Sequence, residues 1–259
     1  VGRMARLFSP DIVHAVGKRA ATAAAVLGRV PGLGISPRPR LVFSDAESSP
    51  LRRTADRTVE IPVELPPLAN VDASEVRARF GIPASATLIV AGGDYGHPSG
   101  LRGAIWAFDV FRYTAPESWL LLVGHGPGRP RLEGFARGVA FDDYRFRFSD
   151  AIAEWPKLAA AADLVWVLAG RRGRWLTAVA QACGKPVAGV RSCGIDDGEN
   201  GRIVSDRDWT ELAKLTRRWL DNPATMQKLG ASSRRYAEAE FAPERVVQRW
   251  IELYDGLGR

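Results

Sequence analysis

Cysteine, methionine and histidine are scarce: two, two and three residues in a chain of 259. The cysteines, Cys183 and Cys193, are too few for a disulfide framework and lack the spacing of a zinc site, which points to a reduced, cytoplasmic chain. His14, His97 and His125 lie far apart with no carboxylate pattern beside them, so no metal is expected. Lysine is rare too: only Lys18, Lys157, Lys185, Lys214 and Lys228 among the 36 basic residues. The net charge is +7, but the arginines are spread along the whole chain rather than gathered into a phosphate-tracking stretch. A nucleic-acid partner is therefore not expected, while peripheral contact with an anionic membrane surface stays open. No run approaches the roughly 18–20 apolar residues of a membrane span. The longest, 158–170, is short and holds Asp163. The opening VGRMARLFSP has charge but no apolar core, so no secretory signal is expected. P-loop and nucleophile-elbow patterns are missing, as are internal repeats.

Hydrophobic residues make up 46% and charged residues 25% of the chain, enough to bury a substantial core. Short apolar runs at 87–91, 119–123, 144–148, 164–168 and 186–190 have the length and composition of strands. Helix-like stretches near 101–113, 129–138, 151–161 and 175–183 separate them. Alternation of this kind predicts an α/β fold, a parallel sheet with helices on both faces. Trp209, Leu212, Leu215 and Trp219 recur at helical spacing after Ser205, a candidate cap; two more helices follow near 223–239 and 243–256. In the last of them Val246, Val247, Trp250, Ile251 and Tyr254 share one face, which core packing would explain without a partner. Before residue 70 the reading is two strands at 11–16 and 41–44 around an alanine-rich helix, then a third strand at 58–62. Those pieces make part of a Rossmann-like domain, too small to bury both faces of a sheet alone. The expected division is residues 1–70, 71–240, and a C-terminal helix, 241–259, returning to the first domain. The chain begins at Val1; a fragment, an unusual start codon and a reduced first domain are all compatible with that.

The most informative stretch is Arg171–Val187, RRGRWLTAVAQACGKPV. Its ending, ACGKPV, resembles the AMACGxPV signature of retaining GT-B glycosyltransferases (group 1, family 4-like). DIVHAVGKRAA, LVFSDAESSPLRR, VEIPVELPPL, VRARFGIP, LLLVGHGPGRPRLEGFA, YRFRFSDAIAEWPKLAAAADLVWVL, DGENGRIV and FAPERVVQRWIELY follow that family's segments in order. The resemblance implies a GT-B fold and transfer of a sugar from a nucleoside diphosphate sugar to an unknown acceptor, with no cofactor. It also implies a donor site at the carboxyl ends of the second domain's strands.

Several positions depart from the family pattern. Its E-x7-E glutamates fall on Arg171 and Val179, and its phosphate-binding arginine and lysine on Gly93 and Ser99. His125 replaces an aspartate, Val16 replaces the second histidine of an HxH strand end, and 192–198 is shorter than the family's loop. The resemblance leaves Gly92, Gly93, His97, Ser99, Gly100, Phe148, Arg171, Arg174 and Thr177 as donor-site candidates, and His14 as a catalytic or acceptor-orienting candidate. Arg171, Arg172 and Arg174 form a cationic run that either replaces the missing phosphate cations or solvates a loop. Two functions stay open: transfer through a diverged donor site, or a catalytically inactive homologue acting as a partner or regulatory subunit of an active transferase.

Overall fold

A computed structural model describes residues 10–29, 39–44, 53, 55–59, 65–66, 71–96, 100–141, 144–168, 172–198, 200–205 and 208–257. The chain separates into two compact units, Val1–Pro62 with Pro243–Arg259, and Val63–Ala242.

The smaller unit contains strand β1 (Ile12–Val16), helix α1 (Lys18–Arg29), β2 (Arg40–Ser44) and β3 (Arg57–Val59), parallel in the order β1-β2-β3. Period-2 alternation sends Val13, Ala15, Leu41 and Phe43 toward the alanines Ala21, Ala24 and Ala25 of α1. Small alanines let that helix lie close to the sheet. On the opposite face His14 is held at both ring nitrogens, with Tyr254 Oη 2.7 Å from Nδ1 and the buried Ser44 Oγ 2.5 Å from Nε2. The ring also packs on Trp250, at 5.1 Å between centroids.

The larger unit runs α2 (Ala73–Arg79), β4 (Thr87–Gly92), α3 (Leu101–Arg112), β5 (Ser118–Val123), α4 (Arg129–Ala140), β6 (Phe146–Ser149), α5 (Trp155–Ala161), β7 (Leu164–Val167), α6 (Gly173–Ala182), β8 (Val187–Gly189), β9 (Arg202–Ile203), α7 (Trp209–Leu220) and α8 (Pro223–Glu240). The final helix, α9 (Pro243–Asp255), belongs to the smaller unit. All six strands of the larger sheet are parallel, in the order β6-β5-β4-β7-β8-β9. Chain direction across the sheet therefore reverses between β4 and β7, the position at which open parallel sheets offer a crevice to ligands. From Leu88 onward β4 is buried, as is all of β7, both apolar runs of the kind that a sheet covered on both faces requires. Arg77 of α2 ties the helix to the sheet: it pairs with Asp163 at 3.0 Å and donates to the Ala86 carbonyl, while Asp163 accepts the Leu88 amide at 2.7 Å.

Helix α7 is capped by Asp208, whose side chain accepts the Glu211 amide, and not by Ser205. Both α2 and β9 escaped the sequence reading because each is short. The stripe on α9 is not core: no residue of that helix is buried, and Val247 and Ile251 are 55% and 47% exposed.

The ACGKPV segment is a helix stop. Gly184 adopts φ +70° just past the Cys183 cap. Its amide donates to Gln181 O at 2.8 Å and the Lys185 amide to Ala180 O at 3.1 Å, the paired bonds of a Schellman ending, with Pro186 barring continuation. The Gly184 carbonyl lies against Gly230 of α8 so closely that a Cβ there would sit 2.3 Å away. Gly230→Ala should therefore cost about 1–3 kcal/mol, lowering Tm by several degrees in a melt followed by circular dichroism. Burial holds the His14 pKa below its ordinary 6.5. The folded chain then binds that proton less tightly than the unfolded chain, so its contribution is complete above the unfolded value and is lost as pH falls through the folded one. Acidification from about pH 7.5 to 5.5 should lower the Tm of the wild type more than that of His14→Gln.

Candidate functional site

The crevice between β4 and β7 is bordered by the glycine-rich turn after β4 and the start of α6 after β7. The turn is fastened by a residue that the sequence reading passed over. Tyr95 points inward and is 2% exposed. Its hydroxyl lies 2.9 Å from Leu122 O and 2.7 Å from Ser149 O, and receives the Ser149 amide at 3.2 Å. Burial pushes this phenol well above its ordinary pKa, so it stays a neutral donor. A lone aromatic within Gly-Gly-Asp-Tyr-Gly was the signal available. Phe148 packs half-buried beside Tyr95, ring centroids 6.3 Å apart.

The glycines of the turn have structural duties. Gly93 donates its amide to Val123 O at 3.1 Å, and Tyr95 donates its own to His125 O at 3.0 Å, so neither N–H is directed at the crevice. A Cβ on Gly92 would fall 2.7 Å from the indole of Trp155, and one on Gly100 would fall 2.5 Å from Leu168 O. Glycine at these two positions lets the chain pass a buried ring and a neighbouring backbone. Trp155 is itself fixed, donating its indole N–H to Leu176 O at 3.0 Å, which joins α5 to α6.

Helix α6 begins with no acid in its first turn, and Arg172 and Arg174 are exposed there. Its amino end therefore carries both the partial positive charge of the helix and two cationic side chains. Arg174 runs along Gly194 in the turn after β8, its Cγ 3.2 Å from where a Cβ would stand. One turn inside α6, Thr177 is 1% exposed and its hydroxyl has no hydrogen-bond partner among the described residues. On the next turn Gln181 donates to Asn200 O at 3.0 Å, as does Ser233 Oγ at 2.8 Å. Asn200 Oδ1 in turn accepts the Asp196 amide, so the DGENG turn is a braced structural element. His97, Ser99 and Arg171 lie outside the described residues. His14, with Ser44 and Tyr254, belongs to the other compact unit. Among the described residues no group of three or more His, Cys, Asp and Glu is placed to hold a metal, and no helix is long and apolar enough to cross a membrane.

Val179, where the resemblance sets the second glutamate, is fully buried within the apolar core. A carboxylate there would be desolvated without a partner. Val179→Glu should destabilise the fold by about 3–5 kcal/mol, read as a loss of Tm, rather than create a ligand contact.

The profile of the family described as "Glycosyl transferases group 1" matches residues 84–222. Among curated proteins, the chain is 27% identical over 201 residues to a GDP-mannose-dependent monoacylated alpha-(1-6)-phosphatidylinositol monomannoside mannosyltransferase of Corynebacterium glutamicum. That alignment takes in 72% of this chain but 52% of the relative, so the chain spans about half the relative's length. It is 24% identical to the lipopolysaccharide core biosynthesis glycosyltransferase LpsD of Rhizobium meliloti, over 98% of this chain and 78% of that one. Among solved structures, Anabaena Alr3699/HepE in complex with UDP-glucose superposes with a TM-score of 0.77 at 18% identity, covering 95% of this chain and 79% of that one. The order of the sheet, the helix stop at ACGKPV and the profile match agree: the chain belongs to the group 1 glycosyl transferases, with a GT-B type fold.

Proposed function

We propose that this protein takes a nucleoside diphosphate sugar at the β4–β7 crevice and transfers the sugar to an acceptor whose nature the sequence leaves open. One observation carries the reading. The amino end of α6, free of acids and bearing Arg172 and Arg174, stands where the sheet order reverses, the place at which such sheets bind phosphorylated ligands. A diphosphate leaving group needs stabilisation as the glycosidic bond breaks, and arginines beside a helix amino end would supply it. Support comes also from Thr177, whose buried hydroxyl has no partner among the described residues and suits a polar ligand atom. HepE is a neighbour solved with UDP-glucose, and the Corynebacterium relative is named for GDP-mannose. The donor class follows these; its base and sugar do not.

In this reading the donor site is a diverged one. The Gly93 amide is spent on β5 and Val179 is core, so phosphate contacts fall to the α6 side of the crevice rather than to the glycine turn. Those same two observations favour the second reading, a homologue without catalytic activity that serves as partner to an active transferase. Calorimetric titration of the full chain with UDP-, GDP- and ADP-sugars separates the two. Binding at millimolar or lower concentration is expected for one nucleotide, with Arg174→Ala weakening it by about 10- to 100-fold, the worth of a charge-assisted hydrogen bond. No binding to any of the three, together with co-purification of another transferase, establishes the second reading instead.

A further inference from the structure

Helix α6 begins without a capping side chain: Arg172, at its N-cap, bonds no amide of the first turn. The direction of such an end is set by what its first turns touch. At the close of the first turn Leu176 meets Trp155. The indole N–H donates to Leu176 O at 3.0 Å, and the whole side chain of Trp155 is buried. The same ring lies against Gly92, the last residue of β4. A Cβ there would stand 2.7 Å from Trp155 Cη2, 2.8 Å from Cζ3 and 3.1 Å from Leu176 Cδ1. The end of β4, the head of α5 and the first turn of α6 therefore meet at one point.

We propose that Trp155 is a positioning residue for the donor. It holds the amino end of α6, with Arg172 and Arg174, at the distance and angle from the β4 turn at which a diphosphate fits. This rests on the donor reading given above. The ring sets the distance, because its outer edge fills the space in which Gly92 leaves no room for a methyl group. The hydrogen bond sets the angle, since an N–H to carbonyl bond weakens steeply away from its line. A buried tryptophan needs a partner for its N–H; the one used here is a carbonyl of the helix that bears the cations. Charge stabilises a leaving group best when it is aimed before the bond breaks, and a displacement of about 1 Å is enough to matter. In this scheme Trp155 touches no ligand and acts through Leu176.

Trp166 supplies a matched comparison. It is equally buried and donates its indole N–H at 3.1 Å, but to Thr216 Oγ1 of α7 rather than to α6. Replacing either tryptophan by phenylalanine removes one buried indole bond and the outer edge of the ring. Both variants should lose several degrees of Tm. Calorimetric titration of the chain with UDP, GDP and ADP, and with the nucleoside of whichever binds most tightly, then separates position from stability. Trp155→Phe should raise the Kd of the diphosphate about threefold to tenfold, the worth of one hydrogen bond. It should leave the nucleoside's Kd unchanged, because α6 holds the phosphates. Trp166→Phe should alter neither constant.

Gly92→Ala pushes on the same ring from β4 and should also weaken the diphosphate alone. Combined with Trp155→Phe, the loss should be smaller than the product of the two, because the shorter ring gives the methyl group room. Equal weakening by Trp155→Phe and Trp166→Phe overturns the proposal, leaving Trp155 a support of the fold only. An unchanged diphosphate constant in folded Trp155→Phe overturns it as well, with the donor reading intact. If Trp155→Phe does not fold, Gly92→Ala decides: weakening confined to the diphosphate supports the proposal, and an unchanged constant overturns it. A wild type that binds none of the three nucleotides overturns the donor reading and this inference together.

Discussion

The larger unit depends on how closely two turns pass at the centre of its sheet. Strands β4 and β7 are neighbours, and the chain leaves them toward opposite edges of the sheet. For both departures to fit, Gly100 must touch the Leu168 backbone and Gly92 must lie under the ring of Trp155. No side chain is tolerated at either point, because the obstructing atoms are backbone or a fully buried indole. Trp155 then grips the carbonyl of Leu176, so one packing constraint sets the end of β4, the start of α5 and the position of α6. The crevice is a by-product of that crossing, and its chemistry is whatever the two departing turns bring to it.

What they bring is asymmetric. The turn after β4 spends two of its amides on β5 and the segment following it, and anchors itself through Tyr95. The α6 side has no acid in the first turn of its helix, and Arg172 and Arg174 are exposed beside it. In the proposed reading, a donor's phosphates would be held from one wall rather than from two. The departures fall on positions where the family resemblance expects ligand contacts, whereas ACGKPV ends a helix and seats α8 through Gly230. Fold and ligand chemistry are carried by different atoms of the same stretch, and so can diverge separately.

Much of the architecture was legible along the chain because it is local. Apolar runs of the right length marked the strands from β4 to β8 to within a residue or two, and helical spacing marked α3, α4 and α7. Cys-Gly-Lys-Pro announced a helix stop from four adjacent residues. The candidate site was less legible. Gly92, Gly93 and Gly100 suggested a phosphate cradle, yet Gly92 and Gly100 are glycine because of Trp155 and Leu168, distant in sequence, and the Gly93 amide is spent on Val123. His14 suggested a reactive group, while Ser44 and Tyr254, thirty and 240 residues away, occupy both its nitrogens.

Sequence alone determined the α/β alternation, the parallel sheet, the end of α6 at Cys183 and the absence of acids at its head. Each follows from residue order through backbone geometry, side-chain periodicity and charge. Only the tertiary structure decided which amides remain unspent and that Val179 is core. It also decided that Val247 and Ile251 face outward although their spacing matches that of a buried stripe. Periodicity shows that residues share a face; what covers that face depends on which other parts of the chain are brought against it.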